Sequence, residues 1–268
     1  MVHITLQRRK MGKLKFSPIL KFQAFCDIIA YNKGCDLMKN ESVSFSVTVK
    51  CPYYDVINDV FYLVNGMYTT SNGKTLLIKD NIAYLKESPD SSESYIIANK
   101  SFPLPQNYNP GFIKAASDAY TKMYNAALDE TRGSSNEIKL TKRSAFRDYN
   151  YQMSLYNNYV KINGKAKADT FSARPGFSEH QTGYCLDMLF PSSSQNAKYK
   201  TQYDWLSNNA YKYGFILRYP EGKTTITGYI YEPWHYRYVG TELAAKLWNG
   251  GNWITMEEHF GVDSSYKY

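Results

Sequence analysis

Between residues 42 and 50 apolar and polar side chains alternate: Val43, Phe45, Val47 and Val49 fall on one side, Ser42, Ser44, Ser46, Thr48 and Lys50 on the other. A period of two is that of a half-buried strand. β-type runs continue through 60–64, 67–70, 75–78 and 82–85, with Asn65-Gly66 and Asn72-Gly73 as hairpin signals. Residues 40–86 therefore read as a small β module. The stretch 87–93 is rich in Ser, Pro and Asp and has no large apolar side chain, which marks a linker. This divides the chain into an N-terminal region over 1–94, holding the β module and the linker, and a second domain over 95–268.

Past the linker the period lengthens. Phe112, Ile113, Ala116, Tyr120, Met123 and Ala127 recur at helical spacing, with Asn109 as the expected cap, Pro110 at the first helical position and Gly133 as the stop. A short strand is predicted at 138–140. Asp148 is placed to cap a second helix that ends at Asn163-Gly164, and 165–182 reads as a long loop. Strands are predicted at 183–190, 215–219 and 229–239, a helix at 201–213 stopped by Gly214, and two closing helices capped by Thr241 and Thr255. Helices and strands mixed without regular βαβ alternation predict an α+β fold, an antiparallel sheet with flanking helices.

Composition narrows the partners. The 26 tyrosines pack one face while keeping a hydroxyl wet, which suits sugars and peptides. A net charge of +8, spread without a basic block, attracts anionic surfaces such as a cell envelope. No nucleic-acid partner is expected, because the chain has no paired-cysteine motif, RNA-binding signature or arginine-rich tract. Cys26, Cys35, Cys51 and Cys185 are too scattered for a disulfide framework or a zinc ribbon. A zinc ion must therefore use other ligands. No apolar run approaches 18 residues and the basic start does not read as a signal peptide.

The chain has four histidines, and two sit in acid-bearing contexts: His180-x6-Asp187 and Glu232-x2-His235. Two imidazole nitrogens and one carboxylate oxygen make the three-ligand count of a catalytic zinc. Glu232 is then left over as a general base. The same residues could instead cap loops and satisfy backbone groups, and spacing alone leaves both readings open. His3 and His259 lack such a context and read as surface or structural residues.

The surrounding words carry more. Ser178-Glu179-His180-Gln181-Thr182-Gly183 with Asp187, then Tyr213-Gly214-Phe215-Ile216-Leu217-Arg218-Tyr219-Pro220, then Tyr231-Glu232-Pro233-Trp234-His235-Tyr236-Arg237-Tyr238-Val239-Gly240 resemble the VanY-type D-alanyl-D-alanine carboxypeptidases. Upstream, Asn99-Lys100, Leu104-Pro105 and Tyr108-Asn109-Pro110 look like the phrase that opens the catalytic domain of that family, so the resemblance spans roughly 95–268. It implies the hedgehog/DD-peptidase fold and one zinc ion per chain, with peptidoglycan stem peptides as substrate and removal of a terminal D-alanine as the reaction. Carried over by position, His180, Asp187 and His235 are the zinc ligands and Glu232 the base. Arg147 matches the arginine that contacts the substrate, and Gln152 and Ser178 are substrate-binding residues. The neighbouring activities are an L,D-carboxypeptidase and an endolysin-type endopeptidase; a non-catalytic wall-binding module has no need of Glu232. Such a substrate implies an extracytoplasmic or wall-associated protein. Three positions depart from the family: Phe146 and Asp148 flank the arginine where Tyr and Ser are usual, and Cys185 stands where the family has alanine. A thiolate at Cys185 is a competing zinc ligand; the favoured reading is a small buried hydrophobe, so its replacement by Ala is expected to leave metal content and activity nearly unchanged.

Overall fold

The computed structural model describes residues 2–5, 44–47, 54–57, 60–63, 65–135, 137–188 and 197–266. The chain divides into two compact units, Met1–Val64 and Asn65–Tyr268. In the first, β1 (Val2–Thr5) pairs antiparallel with β2 (Ser44–Val47), and β3 (Tyr54–Ile57) with β4 (Val60–Leu63). β2 is the centre of the alternating run; the flanks of that run, and Cys26, Cys35 and Cys51, lie outside the described residues.

The second unit opens with an antiparallel meander of β5 (Gly66–Thr69), β6 (Thr75–Lys79), β7 (Ile82–Lys86) and β8 (Tyr95–Ile97). Asn72-Gly73 makes the β5–β6 turn as expected. Asn65-Gly66, expected to turn between 60–64 and 67–70, is not a two-residue turn: Gly66 is the first residue of β5, opposite Ile78. The β6–β7 turn uses Asp80 and Asn81, both at positive φ, the backbone that a two-residue hairpin requires.

The expected boundary between 94 and 95 moves. β7 pairs with β8 across the Ser-rich stretch, with Ala83 opposite Ile97, so 87–93 is a connection inside one sheet and the compact unit begins at Asn65. A polar run reads as a linker in sequence because the ladder that closes around it is a non-local contact.

After the meander come α1 (Lys114–Thr131), β9 (Lys142–Ser144) and α2 (Tyr149–Asn163). Asp148 caps α2 by accepting from the Tyr151 N–H at 2.7 Å, and Gly164 ends it. Asn109 does not cap α1: the N-terminal flank is Ile113 in extended backbone with no side-chain cap. Its N–H is spent instead on the Gly183 carbonyl at 2.9 Å. The short strand forms at Lys142–Ser144 rather than 138–140, where it pairs with Asp187 and Met188.

The stretch expected as loop contains α3 (Lys165–Ala168) and a 3₁₀ turn, Glu179–Thr182. β10 (Cys185–Met188), α4 (Ala197–Asn209) with a 3₁₀ extension Ala210–Tyr213, β11 (Phe215–Leu217), α5 (Thr224–Thr227), β12 (His235–Tyr238), α6 (Thr241–Trp248) and α7 (Met256–Phe260) follow. Residues 189 and 190 of the predicted strand lie outside the described residues. Thr255 caps α7 in a capping box with Glu258, as expected, whereas α6 starts after Gly240 with Thr241 already helical. The strand predicted over 229–239 shrinks to β12 because Ile230 and Glu232 bond to the carbonyls of Thr170 and Tyr219, which are not strand partners.

The second sheet runs β11-β12-β10-β9, antiparallel throughout. The architecture is α+β with antiparallel sheets flanked by helices. Two glycines fix the entry to its strands. Gly183 has φ 77, and a Cβ there would stand 2.2 Å from the Gly111 carbonyl oxygen; Gly214 has φ 83, with a Cβ position 2.7 Å from the Tyr238 ring. Only glycine meets both demands at once. No helix among the described residues is long and apolar enough to cross a membrane.

Candidate active site

β10 and β12 sit side by side in the sheet with Asp187 directly opposite His235. The 3₁₀ turn that precedes β10 carries His180 to the same place. Each imidazole is tied on its outer side: His180 Nδ1 bonds the Ala145 carbonyl, and His235 Nε2 lies 2.9 Å from Glu179 Oε2. The remaining nitrogens therefore turn inward. His180 Nε2 is 3.3 Å from Asp187 Oδ2, and His235 Nδ1 is 3.2 Å from Asp187 Oδ1. The two rings meet edge to face, 4.9 Å between centroids.

These inward contacts lack hydrogen-bond geometry, so His180 Nε2 and Asp187 Oδ1 are buried without a hydrogen-bond partner. Orphaned buried polar atoms are costly, and two imidazole nitrogens facing a carboxylate are the donor types that take a divalent metal. The residues fit a metal. The ligand atoms of His180, Cys185 and His235 all lie within 4.8 Å of one another, a triad consistent with a zinc metallopeptidase centre. Burial opposes the charge on Asp187, but the two imidazoles outweigh it and hold its carboxyl well below the usual carboxylate range.

Glu232 enters from the loop before β12, its Oε2 3.6 Å from His235 Nδ1. Burial, with Asp187 nearby, pushes its carboxyl up to about 7, against the pull of His235. A carboxylate poised there is matched to proton transfer at neutral pH. Arg147 donates from Nη2 to Asp187 at 3.2 Å and from Nη1 to Gln152 Oε1 at 3.1 Å, while its Nε is buried and unpaired. Gln152 also donates to the Ala173 carbonyl at 2.8 Å. Ser178, also buried, precedes the 3₁₀ turn. All of these line one cavity of about 530 Å³, which continues past Tyr151, Leu155, Tyr159, Phe171 and Ile230. That volume suits a small ligand.

Comparison with known proteins agrees with this geometry. The VanY D-alanyl-D-alanine carboxypeptidase model matches residues 112–241. A Bacillus subtilis protein described as putative carboxypeptidase YodJ is 33% identical over 233 residues, 85% of this chain and 81% of its own. The chain belongs to the VanY family. Among solved structures, the L,D-carboxypeptidase DacB from Streptococcus pneumoniae aligns with a TM-score of 0.59 at 34% identity, over 71% of this chain and 98% of that one. VanYB in complex with D-alanine-D-alanine aligns with a TM-score of 0.52 at 31% identity, over 61% and 95%.

In this VanY-family chain the structure brings together every site residue expected from the sequence: His180, Asp187, His235, Glu232, Arg147, Gln152 and Ser178. His259 stands apart from it, 2.8 Å from Glu87; the side chain of His3 lies outside the described residues. Cys185 is fully buried, as expected of a small hydrophobe, but it shares the space of the two histidines.

The sequence reading missed a layer of charge behind the metal ligands. Glu179 accepts from Arg218 Nε at 2.7 Å and Arg237 Nη1 at 3.1 Å, in addition to its contact with His235. Arg218 forks onto Glu257 of α7 at 2.8 and 2.6 Å, and Arg237 reaches the Ile96 carbonyl of β8 at 2.7 Å. Burial opposes ionisation of Glu179, yet Arg218, His235 and Arg237 hold it well below the usual range. One signal was readable: arginines inside apolar words, Phe215-Ile216-Leu217-Arg218 and Tyr236-Arg237-Tyr238, are buried only when paired. Such outer partners orient a metal-ligating imidazole and raise its donor strength.

Proposed function

We propose that this protein is a zinc-dependent D-alanyl-D-alanine carboxypeptidase that hydrolyses the terminal D-alanine from peptidoglycan stem peptides, working outside the cytoplasm or at the wall where those peptides lie. The observation that carries the reading is the inward pair, His180 Nε2 and His235 Nδ1, converging on Asp187 beside a spare buried glutamate. His180, Asp187 and His235 would hold one zinc ion. When bound, zinc polarises the scissile carbonyl and acidifies water toward a pKa of about 7.

The chain's own residues supply the rest. Glu232 takes the proton of the attacking water at its carboxylate and returns it to the departing amine. Arg147, held by Gln152 and Asp187, presents charge-assisted hydrogen bonds to the substrate's carbonyl or terminal carboxylate. Gln152 fixes that guanidinium, and Ser178 contacts the peptide at the cavity wall. The apolar side chains further along exclude water from the peptide.

Metal analysis should find one zinc per chain, removed by chelators together with activity and restored with it. Two metals per chain, or full turnover after verified metal removal, would exclude this mechanism. A second test concerns the free chain end. Amidating the C-terminus of a pentapeptide removes its charge and keeps the scissile bond. The carboxypeptidase reading expects kcat/KM to fall about 10- to 100-fold, the worth of a hydrogen bond to a charged group, and expects Arg147→Ala to lose that discrimination. Equal cleavage of both peptides would identify an endopeptidase.

The likeness to an L,D-carboxypeptidase, 34% identical over 71% of this chain, supports a second reading in which a tetrapeptide is trimmed. Incubation with tri-, tetra- and pentapeptide stems separates the two: D-alanine released from the pentapeptide supports the first, release from the tetrapeptide alone the second.

A further inference from the structure

We infer that Tyr266 is a positioning residue for substrate recognition: its hydroxyl oxygen, acting through one peptide group and Gln152, sets the direction of the Arg147 guanidinium, a step that rests on the carboxypeptidase reading above. Gln152 and Tyr156 are buried four residues apart on α2, so they share one face of the helix. From that face Gln152 Nε2 donates to the Ala173 carbonyl at 2.8 Å, and the Tyr156 hydroxyl donates to Asp169 at 2.7 Å. The Arg174 side chain closes the same loop by forking onto Asp169 at 3.2 and 2.9 Å.

The segment after α7 holds the other side of that loop. The Tyr266 ring stacks on the Arg174 guanidinium, 3.8 Å from centroid to carbon, and meets Phe177 edge to face at 5.3 Å. Its Oη accepts from the Arg174 N–H at 3.0 Å. That N–H and the Ala173 carbonyl belong to one peptide group, which is planar and rigid. An anchor on the N–H therefore fixes where the carbonyl points. Three hydrogen bonds run head to tail in one sense: Arg147 Nη1 to Gln152 Oε1, Gln152 Nε2 to the Ala173 carbonyl, and the Arg174 N–H to Tyr266 Oη. In such a chain each bond polarises the next. Tyr266 does not itself line the cavity, so it reaches the substrate only through this chain. A guanidinium held in place spares the substrate the cost of ordering it on binding. The segment has other moorings: Ser264 Oγ donates to the Thr227 carbonyl at 2.7 Å and the Ser265 N–H to Ser101 Oγ at 3.0 Å.

The test is a double-mutant cycle on the zinc-loaded full chain. Tyr266→Phe keeps the ring and its stacking and removes only the oxygen. Its kcat/KM for a free pentapeptide should fall about 2- to 10-fold, the worth of one hydrogen bond, with zinc content unchanged. Its preference for the free over the C-terminally amidated peptide should shrink by the same factor. In a Gln152→Ala background the chain is already cut, so Tyr266→Phe should add no further loss. A loss of the same size in both backgrounds, no loss in the wild-type background, or loss of zinc with activity overturns the inference and leaves the carboxypeptidase reading intact. If Tyr266→Phe does not fold, the reciprocal coupling decides: Gln152→Ala should quicken hydrogen exchange at the Arg174 amide, and unchanged exchange there overturns it. Equal cleavage of free and amidated peptides by the wild-type enzyme overturns both.

Discussion

Replacing Glu232 by Gln is expected to lower D-alanine release by about 10² to 10⁴-fold, the usual contribution of a general base, while zinc content and KM stay near the wild-type values. The amide has almost the volume of the carboxyl and keeps an acceptor oxygen, so the buried pocket is not opened. What it loses is the ability to take a proton. Glu232 stands 3.6 Å from His235 Nδ1, further than Asp187 is from either imidazole, a placement suited to a base beside the metal rather than a ligand. Its backbone is fixed independently of its side chain: its N–H donates to the Tyr219 carbonyl, and its carbonyl accepts from the His235 N–H, both at 3.1 Å. Steady-state release of D-alanine together with metal analysis checks the prediction. Loss of zinc in the variant would make Glu232 a ligand and require the roles of Asp187 and Glu232 to be exchanged.

The second large effect is on stability. Arg218→Met should cost roughly 3–5 kcal/mol, the penalty for breaking a buried ion pair by removing one partner. Arg218 has no exposure and meets two carboxylates, Glu179 and Glu257, that have almost none. Two guanidinium groups, of Arg218 and Arg237, face these two carboxylates, and Asn99 donates to Glu257 at 2.9 Å. Methionine fills much of the volume but leaves Glu257 with Asn99 alone and Glu179 with Arg237 and His235. The network also spans from β8 to α7, so its loss releases elements distant in sequence. Urea denaturation of the two proteins measures the difference; a change below about 1 kcal/mol, the scale of exposed pairs, would show that the network is solvated in solution. Because Glu179 also holds His235 Nε2, the same variant should bind zinc more weakly at temperatures where it remains folded.

The sequence by itself determined the local elements and the identity of the site. β-type runs and the Asn72-Gly73 turn located β5, β6 and β7, Asp148 and Thr255 located the starts of α2 and α7, and the words around His180, Asp187, Glu232 and His235 named the chemistry. These are signals written within a few residues, where propensity, capping and motif spacing act directly. Tertiary structure alone decided what depends on partners far along the chain. The pairing of β7 with β8 turned an apparent linker into a loop and moved the unit boundary to Asn65. Gly183 claimed the N–H of Ile113 and displaced the start of α1 from Asn109. The contacts of Glu179 with Arg218, Arg237 and His235, across 39 to 58 positions, and the approach of Cys185 to the two histidines follow from strand register and burial. Sequence periodicity says which face a residue occupies, whereas only the assembled sheet says which charge or metal donor lies opposite it.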